Sequence, residues 1–298
     1  MELSFLGIGK MGYGMARNLL DAGARVCVYN RTRTRCAPLE ALGARAAETP
    51  EATVIGADIV FTMLSDDAAL NATMRDEVIA CMKPGAVHVS MSTISPMTSA
   101  QMEKRHIHQG SLYLACPVFG RPDAAAAGQL RLCLSGDEAA KKKVAPHLKS
   151  MGEVWDFGAS PGNANVIKLA GNFMLASLIE LLGEAYTFVE SAGGEPALFH
   201  HFISSTMLSA PAVKNYGQFI LDADFDKAGF TATLGAKDIR LVRDTARAHC
   251  TPLPIASLLE DRFLRTLARG WAEKDWSSII QNQRDDAGLP TLSPVKDS

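Results

Sequence analysis

The sequence predicts an α/β fold: a doubly wound, parallel sheet at the N-terminus, followed by an all-α C-terminal domain joined to it by a long helix. Three observations carry this reading. Short apolar runs alternate with amphipathic segments through the first half of the 298-residue chain, the pattern of strands joined by crossover helices. A glycine-rich turn separates the first apolar run from the first amphipathic segment. After Phe157 no strand-like alternation of useful length recurs, and apolar residues return at helical spacing.

Taken in order, residues 3–6 read as a strand, 11–22 as a helix that Gly23 stops, and 25–29 as a second strand. Strands follow at 58–64, 86–91, 113–115, 130–134 and 154–157. Ser160-Pro161 is a helix start, with serine as N-cap and proline at the first helical position. From residue 163 to about 192 no proline interrupts, and Ile167, Leu175, Leu178 and Leu182 recur at helical spacing. Such a helix is roughly 45 Å long at ~1.5 Å per residue. More helices are expected at 197–206, 211–219, 234–249 and 255–269, and the last ten residues, with Pro290 and Pro294, read as a loose tail. The expected domains are residues 1–161 and 162–298.

Apolar residues at 47% and charged residues at 21% exclude a disordered or fibrous chain. Thirty Lys and Arg against 32 Asp and Glu give a net charge of −2, which offers no support for bulk binding to a phosphate backbone and leaves only a local basic patch open. No pair among the six cysteines has CxxC spacing. They read as buried thiols in a reducing compartment, a catalytic Cys116 being the alternative, and no metal site is expected. Met1-Glu2-Leu3-Ser4 lacks a basic n-region. The longest strongly apolar stretch, 173–182, is broken by Glu180 and reads as too short to span a bilayer. The expectation is a cytoplasmic protein with no membrane partner.

Gly7-Ile8-Gly9-Lys10-Met11-Gly12 fits G-x-G-x-x-G between a strand and a helix, the context that makes this motif a Rossmann dinucleotide site. Gly7 permits the tight turn, Gly9 a close approach of pyrophosphate to the helix N-terminus, and Gly12 close packing of helix on sheet. The second strand ends in Asn30-Arg31-Thr32, with Arg33 and Arg35 nearby, where an NAD site usually has a carboxylate. Arg31 can pair with a 2′-phosphate, and Asn30 and Thr32 can hydrogen-bond to it, so the cofactor reads as NADP(H) in preference to NADH. The alternative is a solvated basic loop.

Further stretches extend the pattern: Ser90-Met91-Ser92-Thr93-Ile94-Ser95-Pro96, Ala115-Cys116-Pro117-Val118-Phe119-Gly120-Arg121-Pro122, Gly162 to Asn172 around Lys168, and Lys237-Asp238-Ile239. On these motifs, in this order and spacing, the chain resembles the β-hydroxyacid dehydrogenase family, whose relatives include 3-hydroxyisobutyrate dehydrogenase, glyoxylate and succinic semialdehyde reductases and, more distantly, 6-phosphogluconate dehydrogenase. The resemblance runs from residue 1 to about 285. It implies hydride transfer between nicotinamide and a small hydroxy acid, aldehyde or keto acid, with Lys168 as general acid/base and Asn172 hydrogen-bonding the substrate. It also implies that Ser92 and Thr93 lie near nicotinamide ribose and substrate, that Met63 and Leu64 line the cofactor, and that Lys237 contacts the cofactor or the closed cleft. Lys168 and Asn172 are four apart and share a helix face, and partial burial of Lys168 would lower its pKa toward the working range.

Many family members carry Ser-Gly-Gly where this chain has Phe119-Gly120-Arg121. Phe119 removes a hydroxyl that usually holds the substrate carboxylate. Gly120 keeps a backbone donor, and Arg121 can supply a carboxylate clamp, the alternative being that it faces solvent. Two rival readings are an imine reductase, which Lys168 speaks against, and a catalytically silent dinucleotide-binding interaction protein. A homodimer or higher homo-oligomer is expected. Lys141-Lys142-Lys143 reads as a solvated helix face, and Trp271 and Trp276 as packing residues.

Overall fold

The computed structural model describes residues 1–294; residues 295–298 of the expected tail lie outside the described residues. The chain divides into two units, Met1–Lys168 and Leu169–Ser298.

The first unit is built on strands β1 (Glu2–Leu6), β2 (Arg25–Tyr29), β3 (Arg45–Ala46), β4 (Ile59–Thr62), β5 (Val87–Ser90), β6 (Leu112–Ala115), β7 (Val118–Phe119), β8 (Leu130–Gly136) and β9 (Gly152–Asp156). Strands β1 to β6 pair in parallel in the order β3-β2-β1-β4-β5-β6, the doubly wound arrangement. Neighbouring residues point to opposite faces, as the pleat requires. Phe5, Phe61 and Leu114 enter one apolar layer and Leu6, Val60 and Ala115 the other. Both faces are covered, so the strands read as continuous apolar runs. The helices are α1 (Lys10–Asp21), α2 (Ala37–Glu40), α3 (Pro50–Val54), α4 (Asp67–Thr73), α5 (Asp76–Ala80), α6 (Pro96–His108), α7 (Pro122–Ala126) and α8 (Glu138–Leu148). Thr49, Asp66, Ser95 and Asp137 cap α3, α4, α6 and α8 through their side-chain oxygens.

The sheet departs from a wholly parallel reading at its far end. β8 runs antiparallel to both β6 and β7, and β9 pairs parallel to β8. A parallel return usually needs a crossover of a dozen or more residues built on a helix. Residues 116–129 hold only β7 and the five-residue α7, so the chain turns back instead.

The helix α9 (Pro161–Ser191) has 31 residues. By length and composition alone it is long and apolar enough to cross a membrane, longer than the apolar stretch read from the sequence, but 44% of its apolar window is buried inside the protein, as in a core helix. Glu180 does not end it, because the buried carboxylate accepts from Arg262 Nε at 2.6 Å. Within the second unit its Ala176, Ile179, Leu182 and Tyr186 are buried against α10 (Pro196–Ser205), α11 (Pro211–Asp222), α12 (Ala232–Ala248), α13 (Pro254–Ala268) and α14 (Ile280–Asp286). All named strands end by Asp156, so this unit is helical as read.

Two local expectations fail. The tail is docked as far as Leu292, whose N–H donates to Gln281 Oε1 at 2.9 Å and whose side chain packs on the helical core; Pro290 O accepts from Arg284 Nε at 3.1 Å. Lys141 is buried, because its ammonium lies 2.7 Å from Asp156 at the end of β9 and 2.5 Å from Glu138. Trp276 packs in the core as read, whereas Trp271 packs half-buried, against the Arg269 and Lys274 side chains instead of the core.

Candidate active site

At the carboxyl end of β1, Gly7 adopts φ 102°, and a Cβ there would fall 2.2 Å from Met63 O. A Cβ on Gly12 would fall 2.0 Å from Gly7 O, so α1 can pack this close only with glycine. A Cβ on Gly9, by contrast, would meet nothing within 4 Å. The backbone at the head of α1 therefore borders open space, as a pyrophosphate on a helix N-terminus requires. Ile8 is buried in the core and its N–H donates to Asn30 Oδ1 at 3.0 Å. Asn30 Nδ2 donates in turn to Thr32 O at 2.9 Å. Asn30 thus braces the turn against the end of β2, a use that spacing alone does not reveal. Lys10 is exposed at the start of α1, and Met11 is half-buried against the core.

Beyond β2 the three arginines separate. Arg33 is held by Glu40 at 2.7 and 2.8 Å and by Glu48 at 3.0 Å. Arg31 and Arg35 are exposed and form no ion pair among the described residues; Thr32 is exposed beside them.

The next strand ends supply a second set. Met63 and Leu64 follow β4, half-buried, and Leu64 N–H donates to Ser92 Oγ at 2.8 Å. Ser92 is fully buried, so its hydroxyl ties two strand ends together. Thr93 is half-buried next to it. Phe119 closes β7, Gly120 follows at φ 140°, where a Cβ would press 2.5 Å from Leu130 Cδ2, and half-buried Arg121 is the residue before α7. Lys168 on α9 is only 8% exposed, and its Nζ stands 4.0 Å from the centroid of the Phe119 ring. Asn165, one turn earlier, is buried. Its Nδ2 donates to Ile94 O at 3.4 Å, while its Oδ1 has no partner. Neither Asn165 nor the Phe119–Lys168 contact was foreseen. Its helical spacing from Lys168 was the available signal. Burial pushes the Cys116 thiol far up, which removes the thiolate a catalytic cysteine needs.

In the second unit, Asn172 is buried on α9 and donates through Nδ2 to Asp238 Oδ2. Lys237 Nζ lies 2.7 Å from Asp238 Oδ1, and Asp238 is wholly buried. This is an internal polar cluster rather than the surface ion pair that two adjacent charges suggest. His200 is engaged by the Tyr186 hydroxyl at 2.7 Å.

The fold and the glycine turn define a class, the nicotinamide-dependent dehydrogenases and reductases acting on hydroxyl and carbonyl groups. Residues 2–167 match the NAD binding domain of 6-phosphogluconate dehydrogenase, and residues 162–282 match the NAD-binding family of NADP-dependent 3-hydroxyisobutyrate dehydrogenase. The chain belongs to the β-hydroxyacid dehydrogenase family. It is 36% identical over 284 residues to an uncharacterized oxidoreductase, YfjR, of Bacillus subtilis, covering 94% of this chain and 99% of that protein. It is 30% identical over 290 residues to the chloroplastic glyoxylate/succinic semialdehyde reductase 2 of Arabidopsis thaliana, covering 94% and 79%. Its fold superposes on the crystal structure of 3-hydroxyisobutyrate dehydrogenase from Salmonella typhimurium with a TM-score of 0.86 at 26% identity, covering 95% and 99%. The protein is an NAD(P)-dependent oxidoreductase of the hydroxyacid dehydrogenase type, and the open backbone at Gly9 fits its dinucleotide.

Proposed function

We propose that the protein is an NADP(H)-dependent reductase of small carbonyl acids, with Lys168 as its general acid/base. The observation that carries this reading is the burial of Lys168, 8% exposed, on the helix that opens with Pro161. A lysine there can hold a proton away from bulk water and release it to a nascent alkoxide. Asn172, one turn on, is the proposed substrate hydrogen-bonding residue, with Ser92 and Thr93 supporting the strand-end loop.

Gly7, Ile8, Gly9, Lys10, Met11 and Gly12 would hold the dinucleotide phosphates, Arg31 and Arg35 with Asn30 and Thr32 the 2′-phosphate end, and Met63, Leu64, Thr93 and Lys237 the nicotinamide end. Bound there, the reduced nicotinamide supplies the hydride. The exposure of Arg31 and Arg35 beside an Arg33 already neutralised supports a 2′-phosphate as their counter-charge. Phe119, Gly120 and Arg121 form the proposed substrate loop, Arg121 pairing with the substrate carboxylate. Residues 1–161 serve as the cofactor domain and 162–298 as the substrate and dimerisation domain. Six cysteines outside any disulfide suit a reducing compartment such as the cytoplasm.

The test is turnover of NADPH with glyoxylate, succinic semialdehyde and uncharged aldehydes of similar size. NADPH oxidation with the two acids supports the assignment. A clear preference for the uncharged aldehydes would remove the acid-substrate reading and, with it, the role of Arg121.

A further inference from the structure

We propose that Phe119 is a positioning residue for the acid catalyst: the face of its ring holds the Lys168 ammonium in place and favours its protonated form. This deepens the proposed function and rests on the reading of Lys168 as general acid. The contact is direct, with Nζ 4.0 Å from the ring centroid. A cation within about 6 Å of an aromatic face is attracted by the ring quadrupole, and more strongly where water is excluded. Water is largely excluded here, since Lys168 is buried and Phe119 is packed against the apolar layer that contains Ile94, Cys133 and Ala164.

Phe119 is itself held from both sides. Its backbone pairs with Arg131 across β7 and β8, and Gly120 after it takes the φ of 140° that releases the chain into α7. The backbone that carries the ring is therefore fixed, and the ring itself packs against the apolar layer. Cys133 on β8 feels the Lys168 charge, but burial keeps its thiol raised and therefore protonated, so it does not take the proton. A ring face also has no site to accept a proton. It can hold an ammonium through the waiting state without taking the proton itself; the attraction makes the ammonium a slightly weaker acid while keeping more of the enzyme loaded. In reduction the Nζ–H bond breaks as the substrate O–H bond forms, and the lone pair left on Nζ is reprotonated from water. Phe119 lowers the free energy of the charged form, so it favours the enzyme that starts its cycle with the acid loaded, which is the reductive direction.

The experiment compares the unmodified protein with Phe119→Leu, Phe119→Met and Phe119→Tyr by two readouts. The first is the pH dependence of kcat for NADPH-driven reduction of succinic semialdehyde. The second needs neither cofactor nor substrate: the pH dependence of Lys168 acylation by acetic anhydride, followed by mass spectrometry. Leu and Met fill the space without a π face, so each covers for the other should one fail to fold. Both should move the basic limb of kcat and the acylation midpoint to lower pH by about one unit, the shift worth ~1.4 kcal/mol. Tyr, which keeps the ring, should restore both. Limbs and midpoints that stay put in the Leu and Met variants overturn the proposal. Lys168→Ala separates the two readings: if it keeps normal turnover, the general-acid assignment fails whatever Phe119 does.

Discussion

Arg31 and Arg33 stand two positions apart and do different work. Arg33 is spent on Glu40 and Glu48, whereas Arg31 is exposed and outside any ion pair among the described residues. Arg31→Ala should weaken NADPH binding by ~1.5–3 kcal/mol, the scale of a charge-assisted hydrogen bond, and leave NADH nearly unchanged; calorimetric titration of both cofactors checks it. Equal affinities in the unmodified protein would sink the NADP assignment. Lys168→Ala should lower kcat by roughly 10²–10⁴, as expected for loss of a general acid, with cofactor affinity little changed in the same titration. At this scale the glycines were legible, because only backbone sterics can demand glycine at Gly7 and Gly12. The environment of Lys168 was not, because Phe119 lies 49 positions away in sequence and only β7, a two-residue strand, brings it there. Lys141 failed for the same reason, since its partner Asp156 comes from a different element.

Beneath the sheet, β4, β5, α6 and β6 enclose a polar chain. Thr62 Oγ1 meets His88 Nε2 at 2.9 Å, His88 Nδ1 meets His106 Nε2 at 2.9 Å, and His106 Nδ1 meets Ser111 Oγ at 2.8 Å. His106 also stacks on Tyr113, and His88 meets the same ring edge-on. Burial first, then the charge of the other histidine and of Arg105, drives His88 well below the usual histidine range; burial and Arg105 push His106 down to about 3. The unfolded chain, with histidines near 6.5, therefore binds more protons than the folded one at mildly acid pH. The stability contributed by this pair is complete above about 6.5 and is lost as pH falls below it, by at most ~1.4 kcal/mol per pH unit for each histidine. Urea midpoints measured from pH 8 to pH 5 should fall along this slope, and His106→Gln, which keeps hydrogen-bonding capacity without the charge, should flatten it. A flat profile for the unmodified protein would contradict the account. Strands β1, β2, β4 and β5 were legible as elements because both of their faces are apolar. β3 and β7 were not, being two residues each, with no period to detect.

For the whole molecule, the expectation of a homodimer can be tested on α9. Met174, Leu181 and Phe188 recur every seven residues and are 69%, 58% and 74% exposed, so they form one apolar stripe along the helix. Sedimentation velocity should give a dimer or larger species, and Leu181→Glu with Phe188→Glu should shift it toward monomer while leaving the thermal midpoint of the described core nearly intact. A monomeric unmodified protein would end this reading. The two-part architecture was legible in the change from strand-like to helical spacing near residue 157. The docked end at Leu292 was not, because its partner Gln281 offers a side-chain amide whose use depends on where α14 lies.

The same long helix bears on how the chain is made. Ala176, Ile179, Leu182 and Tyr186 find their partners in Ile203, Val213, Ile220, Phe225, Ile239, Leu259, Phe263, Trp276 and Ile280. Every one of these lies later in the sequence. When the ribosome has released residues 161–191, the apolar side of that segment has nothing of its own unit to cover it, and the cover is complete only when about ninety further residues, through Ile280, have emerged, several seconds at ~5–20 residues per second. A nascent polypeptide stalled near residue 195 should therefore engage chaperones and aggregate when freed, whereas one extended through Leu292 should emerge able to complete its second unit.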